Sequence, residues 1–537
     1  MQERSFVWGH LGKQHRAAQK WIDGVWLIVL LVAAVLLFSV NLGGSALRDW
    51  DEGTVAQVAR EIWRAPADSM GWLYPKLGGE PYHYKPPLMH WLIAWAYSLG
   101  GVNEWTTRLP GAILTAISVP LLYSIGREIF RQRSAATYSA LIYLTLLPVV
   151  RHGRLAILDG AVVSFLMVMM LCVLRSRRDL RYCLGVGIGL GLICLTQGIF
   201  GSLLSAIAIV FLFWDTPRLL TSYYLWTAIL IGIAPAIAWY GAQLLHYGHT
   251  FIQVGILNQS FYRTVFAANS RPPWYNLQEI IMYTWPWLLF LPLSLRFTWE
   301  NRNLSWAKLI LVWTGVYLLI ISLMGTKLSW YLLPIYPSLA LALGAQLTET
   351  ENWPFLSSYP RPWVAGLAIL AVVGSAGSMI VTWGTEPKSE LQMIFAVVAL
   401  TMTLASILAE RGDAQFLKIL FWGSYISLLL LMKSHYWVWE LSDAYPVKPV
   451  ATMILRVNPA VQKIYTSCLY RRPSLDFYSD RTITPASVSE LQYYWHYNGQ
   501  PYFLLHVSVY KNLQLDSMKV IGEAEGWQLV TKDTNRL

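Results

Sequence analysis

The chain has 537 residues, 55% of them hydrophobic and only 13% charged, where a soluble domain carries roughly 25% charged residues. With 27 tryptophans and repeated apolar runs of about 18–20 residues, this excludes a soluble globular protein and describes a polytopic helical membrane protein with interfacial aromatic belts. The net charge of +11 is scattered through short connections, as positive-inside topology requires, so no nucleic-acid partner is indicated.

The first apolar run, Trp26 to Val40, follows Lys13, Arg16 and Lys20, and no small-residue cleavage site comes after it. It reads as a retained helix, not a signal peptide. Spans are predicted at roughly 24–41, 109–126, 134–150, 157–174, 182–197, 199–214, 224–245, 276–295, 307–324, 330–348, 362–383, 391–409 and 416–434. That is about thirteen helices, with 183–214 taken as a hairpin broken near Gln197-Gly198. A cytoplasmic N-terminus leaves Arg or Lys in each short inner connection, among them "REIFRQR", "RSRRDLR" and "ERGDAQFLK". The hydrophilic tail from about 435 onward then falls outside.

Two outer segments are long, 48–108 and about 246–275. The first contains "PPLMHWLIAWAYSLG", too short to span and amphipathic enough to lie on the membrane face. The tail mixes short β-like runs ("KIYTSCLY", "PYFLLHVSVY", "GWQLV") with a polar helical stretch, "SVSELQYYWHY". The expected organisation is an all-α polytopic membrane domain, 1–434, and a small outer α/β domain, 435–537. Cys172, Cys183, Cys194 and Cys468 show neither disulfide nor zinc spacing. The glycines of "GVGIGLGLI" at 185–193 lie inside an apolar span, where they permit close helix packing and not phosphate binding.

Charges collect where outer loops should be poor in them. "LRDWDEGTVAQVAREIW" presents Asp49, Asp51 and Glu52 directly after an apolar run. "RHGRLAILDG" carries Arg154 and Asp159, "GTKLSWYLLP" carries Lys327 and Tyr331, and "YHYKPPLMHW" and "NSRPPWY" place Lys85 and Arg271 just before prolines. A proline holds the residue before it in extended backbone, so these two cations sit on defined chain. Ionisable groups at membrane ends are costly and mark function. Two carboxylates with several cations suit one chemistry. The cations hold a phosphate and stabilise the charge it gains on leaving, while a carboxylate takes a proton from an attacking hydroxyl.

Each residue has a plainer alternative. Asp51 and Asp159 suit helix N-termini. Lys85 suits snorkelling, and Arg154, Lys327 and Tyr331 suit interfacial anchoring. The histidines His83, His90, His152, His246 and His249 are scattered and build no metal site by spacing.

Four segments in order, "WDEGTVAQVAREIW", "GEPYHYKPPLMHWLIAWAYSLGGVNEWTTRLPGAI", "RLAILDGAVVSF" and "GTKLSWYLLPIYPSLALALG", resemble lipid-linked-sugar glycosyltransferases of the GT-C fold. The branch they resemble is the protein O-mannosyltransferase and aminoarabinose-lipid A transferase superfamily; "RRPSLDFYSDR" resembles the outer domain of its bacterial members. The resemblance implies an inverting transferase at the inner membrane. It would take a polyprenyl-phosphate-linked sugar as donor and a lipid, glycan or protein acceptor on the outer face. Asp51 falls on the position of general base, with Glu52 as its orienting partner, and Asp159 on a second acidic position. Lys85, Arg154, Lys327 and Tyr331 fall on donor phosphate-binding positions, and Arg271, read from its place before Pro272, is a further candidate phosphate ligand.

The pattern departs from its relatives at His83-Tyr84-Lys85 and Asn269-Ser270-Arg271, where metal-binding side chains are replaced. No cofactor is required by the sequence; a divalent metal is left open, and a requirement for one is not supported. Two other classes fit less well. A lipid-linked-glycan flippase would carry ionisable residues at mid-membrane in pseudo-symmetric halves. A non-catalytic glycolipid-binding protein would keep the cations without needing Asp51 and Asp159.

Overall fold

The structure, a computed structural model, describes residues 2–262, 271–351, 353, 359–383, 388–438, 445–457, 463–497, 501–510, 513, 515 and 517–533. It divides into two compact units. Met1–Leu42, His83–Leu88 and Gly111–Trp437 form the first; Gly43–Tyr82, Met89–Pro110 and Val438–Leu537 form the second. Most of the long outer loop thus folds with the tail.

The first unit is helical. Among the described residues, nine helices are long and apolar enough to cross a membrane, or ten if one bent pair is a single span. The bent pair is Arg133–Leu144 with Leu147–Gly153, at 58°, where Pro148 opens the second helix and cannot continue the first. Three expected spans are apolar but shorter or interrupted. Region 199–214 starts as a 3-10 turn, Ile199–Leu204, before helix Ser205–Asp215. Region 276–295 is split by Pro286 and a 3-10 turn into Tyr275–Tyr283 and Leu291–Glu300. Region 330–348 begins with the 3-10 turn Ser329–Ile335, which contains Pro334, and continues as the 16-residue helix Tyr336–Glu351. That helix is buried on nearly every side, and its buried polar residues Ser338, Gln346, Thr348 and Thr350 are hydrogen-bonded.

Lipid supplies no hydrophobic drive between helices, so close contact has to come from shape. Helices Leu180–Gln197 and Tyr223–Tyr247 show this. A Cβ on Gly187 would stand 2.0 Å from the Ala228 carbonyl oxygen, and one on Gly191 would stand 2.0 Å from that of Gly232. The glycine run at 185–193 is a packing stripe.

The second unit begins with helix Glu52–Arg64, which buries Val55, Ala56, Val58 and Ala59 along one face. It stops at Ala65, ahead of Pro66. A short hairpin, β1 (Lys76–Leu77) and β2 (Glu80–Pro81), follows. Helix Leu88–Gly100 buries Met89, His90, Ile93 and Tyr97 and leaves Trp95 and Leu99 exposed.

In the tail, β3 (Lys463–Thr466), β4 (Thr482–Pro485), β5 (Tyr502–His506), β6 (Met518–Ala524) and β7 (Trp527–Lys532) make one sheet in the order β4-β3-β5-β7-β6. Its β3–β4 and β3–β5 pairs are parallel, and its β5–β7 and β6–β7 pairs antiparallel. Successive residues of β5 face opposite sides. Leu504 packs with Ile454, Ile464, Leu475 and Leu529, while Phe503 and Leu505 pack with Leu491 and Trp495. Each such buried side chain contributes about 1.5–3 kcal/mol, which a sheet covered on both faces needs in water.

Candidate active site

In the first unit, the segment His83–Leu88 holds Lys85 on fixed backbone. The His83 ring is buried against Tyr247 and Phe251, with centroids 4.6 and 5.7 Å away. Gly255 comes close enough that a Cβ there would lie 2.9 Å from the His83 carbonyl oxygen. Burial lowers the pKa of the His83 imidazole below its ordinary value. Pro86 and Pro87 follow and restrict the chain further. From this support the Lys85 ammonium donates to Oε1 of Gln197 at 3.1 Å. Nε2 of Gln197 in turn donates to Oδ1 of Asp159 at 3.4 Å. Asp159 opens helix Asp159–Ser176, where the helix dipole favours a carboxylate. Lys85, Gln197 and Asp159 are all half-buried, so this charge is neither locked in protein nor lost to bulk water.

A second group surrounds the turn Ser329–Ile335. The buried Lys327 ammonium donates to the carbonyls of Met324 at 2.8 Å and Arg271 at 3.3 Å. The exposed Arg271 guanidinium lies 4.3 Å from the ring centroid of Tyr275, whose hydroxyl is 3.1 Å from Oγ of Ser329. The Tyr317 hydroxyl donates to the Tyr331 carbonyl. Arg271, Lys327 and Tyr331 therefore share one neighbourhood.

Arg154 has different surroundings from those expected of an outward cation. It is fully buried, donates to the carbonyls of Met432 (3.3 Å) and Val40, and lies 4.8 Å from the Trp437 ring centroid. Those carbonyls are at the C-terminal ends of two membrane helices, where a cation is favoured by the dipole and by orphan acceptors. Arg151 adds a 2.9 Å bond to the Trp437 carbonyl.

In the second unit the three acids of the opening cluster take separate roles. Asp49 accepts from Nη1 of Arg472 at 2.6 Å and from the Ser474 amide at 3.1 Å, so it fastens the tail. Glu52 is fully buried and meets Arg108 in a fork, with both N–H···O bonds at 2.7 Å. Arg108 also donates to the carbonyls of Ser45 and Ala46, both at 2.9 Å, and the Arg48 amide donates to Glu52 at 3.1 Å. Asp51 stands at the N-cap position of helix Glu52–Arg64, but its side chain makes no capping bond. Glu52 thus fixes the backbone that presents Asp51, while Asp51 itself stays half-buried.

The dolichyl-phosphate-mannose-protein mannosyltransferase family matches residues 84–240, a stretch that includes Lys85, Arg154, Asp159 and Gln197. Among curated proteins, an undecaprenyl phosphate-alpha-4-amino-4-deoxy-L-arabinose arabinosyl transferase of Pectobacterium carotovorum is 28% identical over 334 residues, 60% of this chain and 58% of that protein. A namesake from Sodalis glossinidius is 29% identical over 61% of this chain and 60% of its own. The match therefore spans about three-fifths of those relatives' length. Among solved structures, ArnT from Cupriavidus metallidurans bound to undecaprenyl phosphate superposes with a TM-score of 0.77 over 95% of this chain and 98% of that one, at 18% identity. The archaeal oligosaccharyltransferase AglB from Archaeoglobus fulgidus gives a TM-score of 0.50 at 12% identity. The chain has the GT-C glycosyltransferase fold.

Two residues of this GT-C chain escaped the sequence reading. Arg108 stands in "NEWTTRLPGAI", but no local pattern reveals that it pairs with Glu52. Gln197 was legible as a helix break and not as a bridge. Among the described residues, no three His, Cys, Asp or Glu side chains come close enough to hold a metal. Asn269 and Ser270, at the second departure from the metal-binding pattern, lie outside the described residues.

Proposed function

We propose that the chain is an inverting glycosyltransferase that moves a sugar from a polyprenyl-phosphate donor to an acceptor at the outer face of the inner membrane. The names of its relatives point to aminoarabinose on undecaprenyl phosphate as the donor. Lipid A is the acceptor we favour over a glycan or a protein hydroxyl. The observation that carries the reading is the hydrogen-bonded line Lys85–Gln197–Asp159, which keeps a cation and a carboxylate in register on fixed backbone.

In the proposed reaction an acceptor oxygen attacks the anomeric carbon, and the bond from that carbon to the phosphate oxygen breaks. Its electron pair leaves with polyprenyl phosphate, and the configuration inverts. The donor phosphodiester carries one negative charge and the departing monoester gains a second. A cation therefore binds the transition state more tightly than the ground state, which is what accelerates a reaction. Lys85 takes that role, with Arg271, Lys327 and Tyr331 as further phosphate ligands; Arg154 is a buried cation held by helix-end carbonyls. For a hydroxyl acceptor the proton passes to Asp51; a phosphate acceptor is already ionised and needs no base.

The same reading gives about thirteen membrane crossings, the interrupted segments included. It places the N-terminus in the cytoplasm and the α/β tail outside. The test is transfer by purified protein in vesicles with undecaprenyl-phosphate aminoarabinose and lipid A. The wild type should modify lipid A, and Lys85→Ala should lose about 10²-fold or more in kcat/KM. Donor binding without any transfer by the wild type would leave a flippase or a binding protein.

A further inference from the structure

Gln197 sits at the end of helix Cys183–Gln197, with Oε1 toward the Lys85 ammonium and Nε2 toward the Asp159 carboxylate. Lysine can only donate and an ionised aspartate can only accept, so this is the single amide orientation that satisfies both. The chemistry asked of the position is narrow. A carboxylate there would accept from Lys85 but repel Asp159 and neutralise the lysine. A cation would do the reverse. An apolar side chain would bond neither. A neutral amide couples the two charges and cancels neither.

The backbone next to it is built for the contact. Gly198 has φ +85° and ψ −163°, a region that side chains other than glycine's avoid. A Cβ there would lie 3.0 Å from the Tyr240 hydroxyl and 3.7 Å from the Pro86 ring. Pro86 directly follows Lys85. The glycine thus brings the end of the helix against the loop that carries the lysine, and the Gln197 side chain spans the remaining distance.

We propose that Gln197 is a positioning residue for the transfer reaction: its neutral amide sets the Lys85 ammonium and the Asp159 carboxylate as one unit without itself cancelling the charge that the donor's phosphate needs. The inference rests on the function proposed above. It predicts that the two halves of the bridge fail in different ways. Gln197→Glu puts a negative charge against Lys85, so undecaprenyl phosphate should bind about tenfold more weakly and the donor KM should rise by a similar factor. Gln197→Met keeps the lysine's charge but removes the amide bridge to Asp159, so kcat should fall about tenfold with KM within about threefold of wild type.

The experiment measures kcat and KM for undecaprenyl-phosphate aminoarabinose, the Kd for undecaprenyl phosphate, and the thermal midpoint, on purified wild type, Q197E, Q197M and K85A. The split between KM and kcat at an unchanged midpoint supports the proposal. Wild-type kinetics in both Gln197 variants, with K85A impaired, overturn this inference and leave the function standing; a K85A variant as active as wild type overturns the function instead. A loss that follows a lowered midpoint equally in Q197E and Q197M overturns positioning in favour of a purely structural amide.

Discussion

Glu52 and Arg108 meet directly, through two 2.7 Å bonds, and neither is exposed. Lys85 and Asp159 carry the same two kinds of charge, but they are half-buried and joined through the Gln197 amide at 3.1 and 3.4 Å. A buried, forked pair has its charge fully used by its partner, so it can hold a fold but has little left for a ligand. A half-buried pair spaced by a neutral amide gives up that stability and keeps its field available to a substrate. The difference separates ions that build the fold from ions that can do chemistry more sharply than residue type or distance along the chain does.

The largest effect that tests this comparison is on stability. Glu52→Ala should leave the Arg108 charge buried without its partner and destabilise the protein by about 3–5 kcal/mol. Thermal unfolding in detergent measures it. The double variant Glu52→Met with Arg108→Met should recover part of the loss, because no lone charge remains. A Glu52→Ala protein that keeps its midpoint but transfers no sugar would move the pair from fold to chemistry.

The next effect is on rate, and it concerns the residue beside Glu52. Asp51→Asn should slow transfer onto a hydroxyl acceptor by about 10²-fold or more, with the thermal midpoint unchanged. Rates on a hydroxyl and on a phosphate acceptor, compared side by side, check this. Full activity on the hydroxyl removes Asp51 from the base role. The expected loss would put neighbours in sequence on opposite sides of the comparison, Glu52 structural and Asp51 chemical.

The long apolar helices were legible because length and hydropathy alone set them. Ala18–Ser39 and Arg361–Trp383 carry every turn of their own signal. Region 330–348 was legible as apolar, but its division into a turn and a buried helix depends on Pro334 and on neighbours that the local sequence does not name. The candidate site shows the same limit. Proline after Lys85 announced defined backbone, and the loop is indeed fixed, by His83, Tyr247 and Gly255. Gln197 gave no such announcement, since its meaning comes from Lys85 and Asp159 in distant parts of the chain. Arg154 was legible as a charge out of place, whereas the helix-end carbonyls it faces were not.

Arg154 yields a smaller prediction on the structural side of the comparison. Arg154→Met keeps much of the volume over Trp437 but leaves the Met432 and Val40 carbonyls without this donor. It should cost about 1–3 kcal/mol, the penalty for a buried polar group that loses its partner. Thermal unfolding again measures it, and an unchanged midpoint would show that water or another donor replaces the guanidinium.

The smallest effect lies where an ion pair reaches solvent. Asp480 accepts from Arg64 at 2.6 Å and also bonds Arg60. Burial works to raise its pKa, but the hydrogen bond from Arg64 and the charges of Arg60, Arg64 and Arg481 outweigh that and hold the carboxyl below its ordinary value. A carboxylate whose folded pKa is depressed adds stability above its unfolded pKa, near 4, and that stability disappears as pH falls through the lower folded value. The Asp480 side chain is 42% exposed, so solvent screening limits its contribution to under about 1 kcal/mol. The difference in thermal midpoint between wild type and Asp480→Asn should be small and constant from about pH 7 to 5 and should shrink below about pH 4. A difference that grows on acidification would mean that Asp480 takes up a proton on folding and that its charge does not hold this clamp, unlike the ionised Glu52–Arg108 pair.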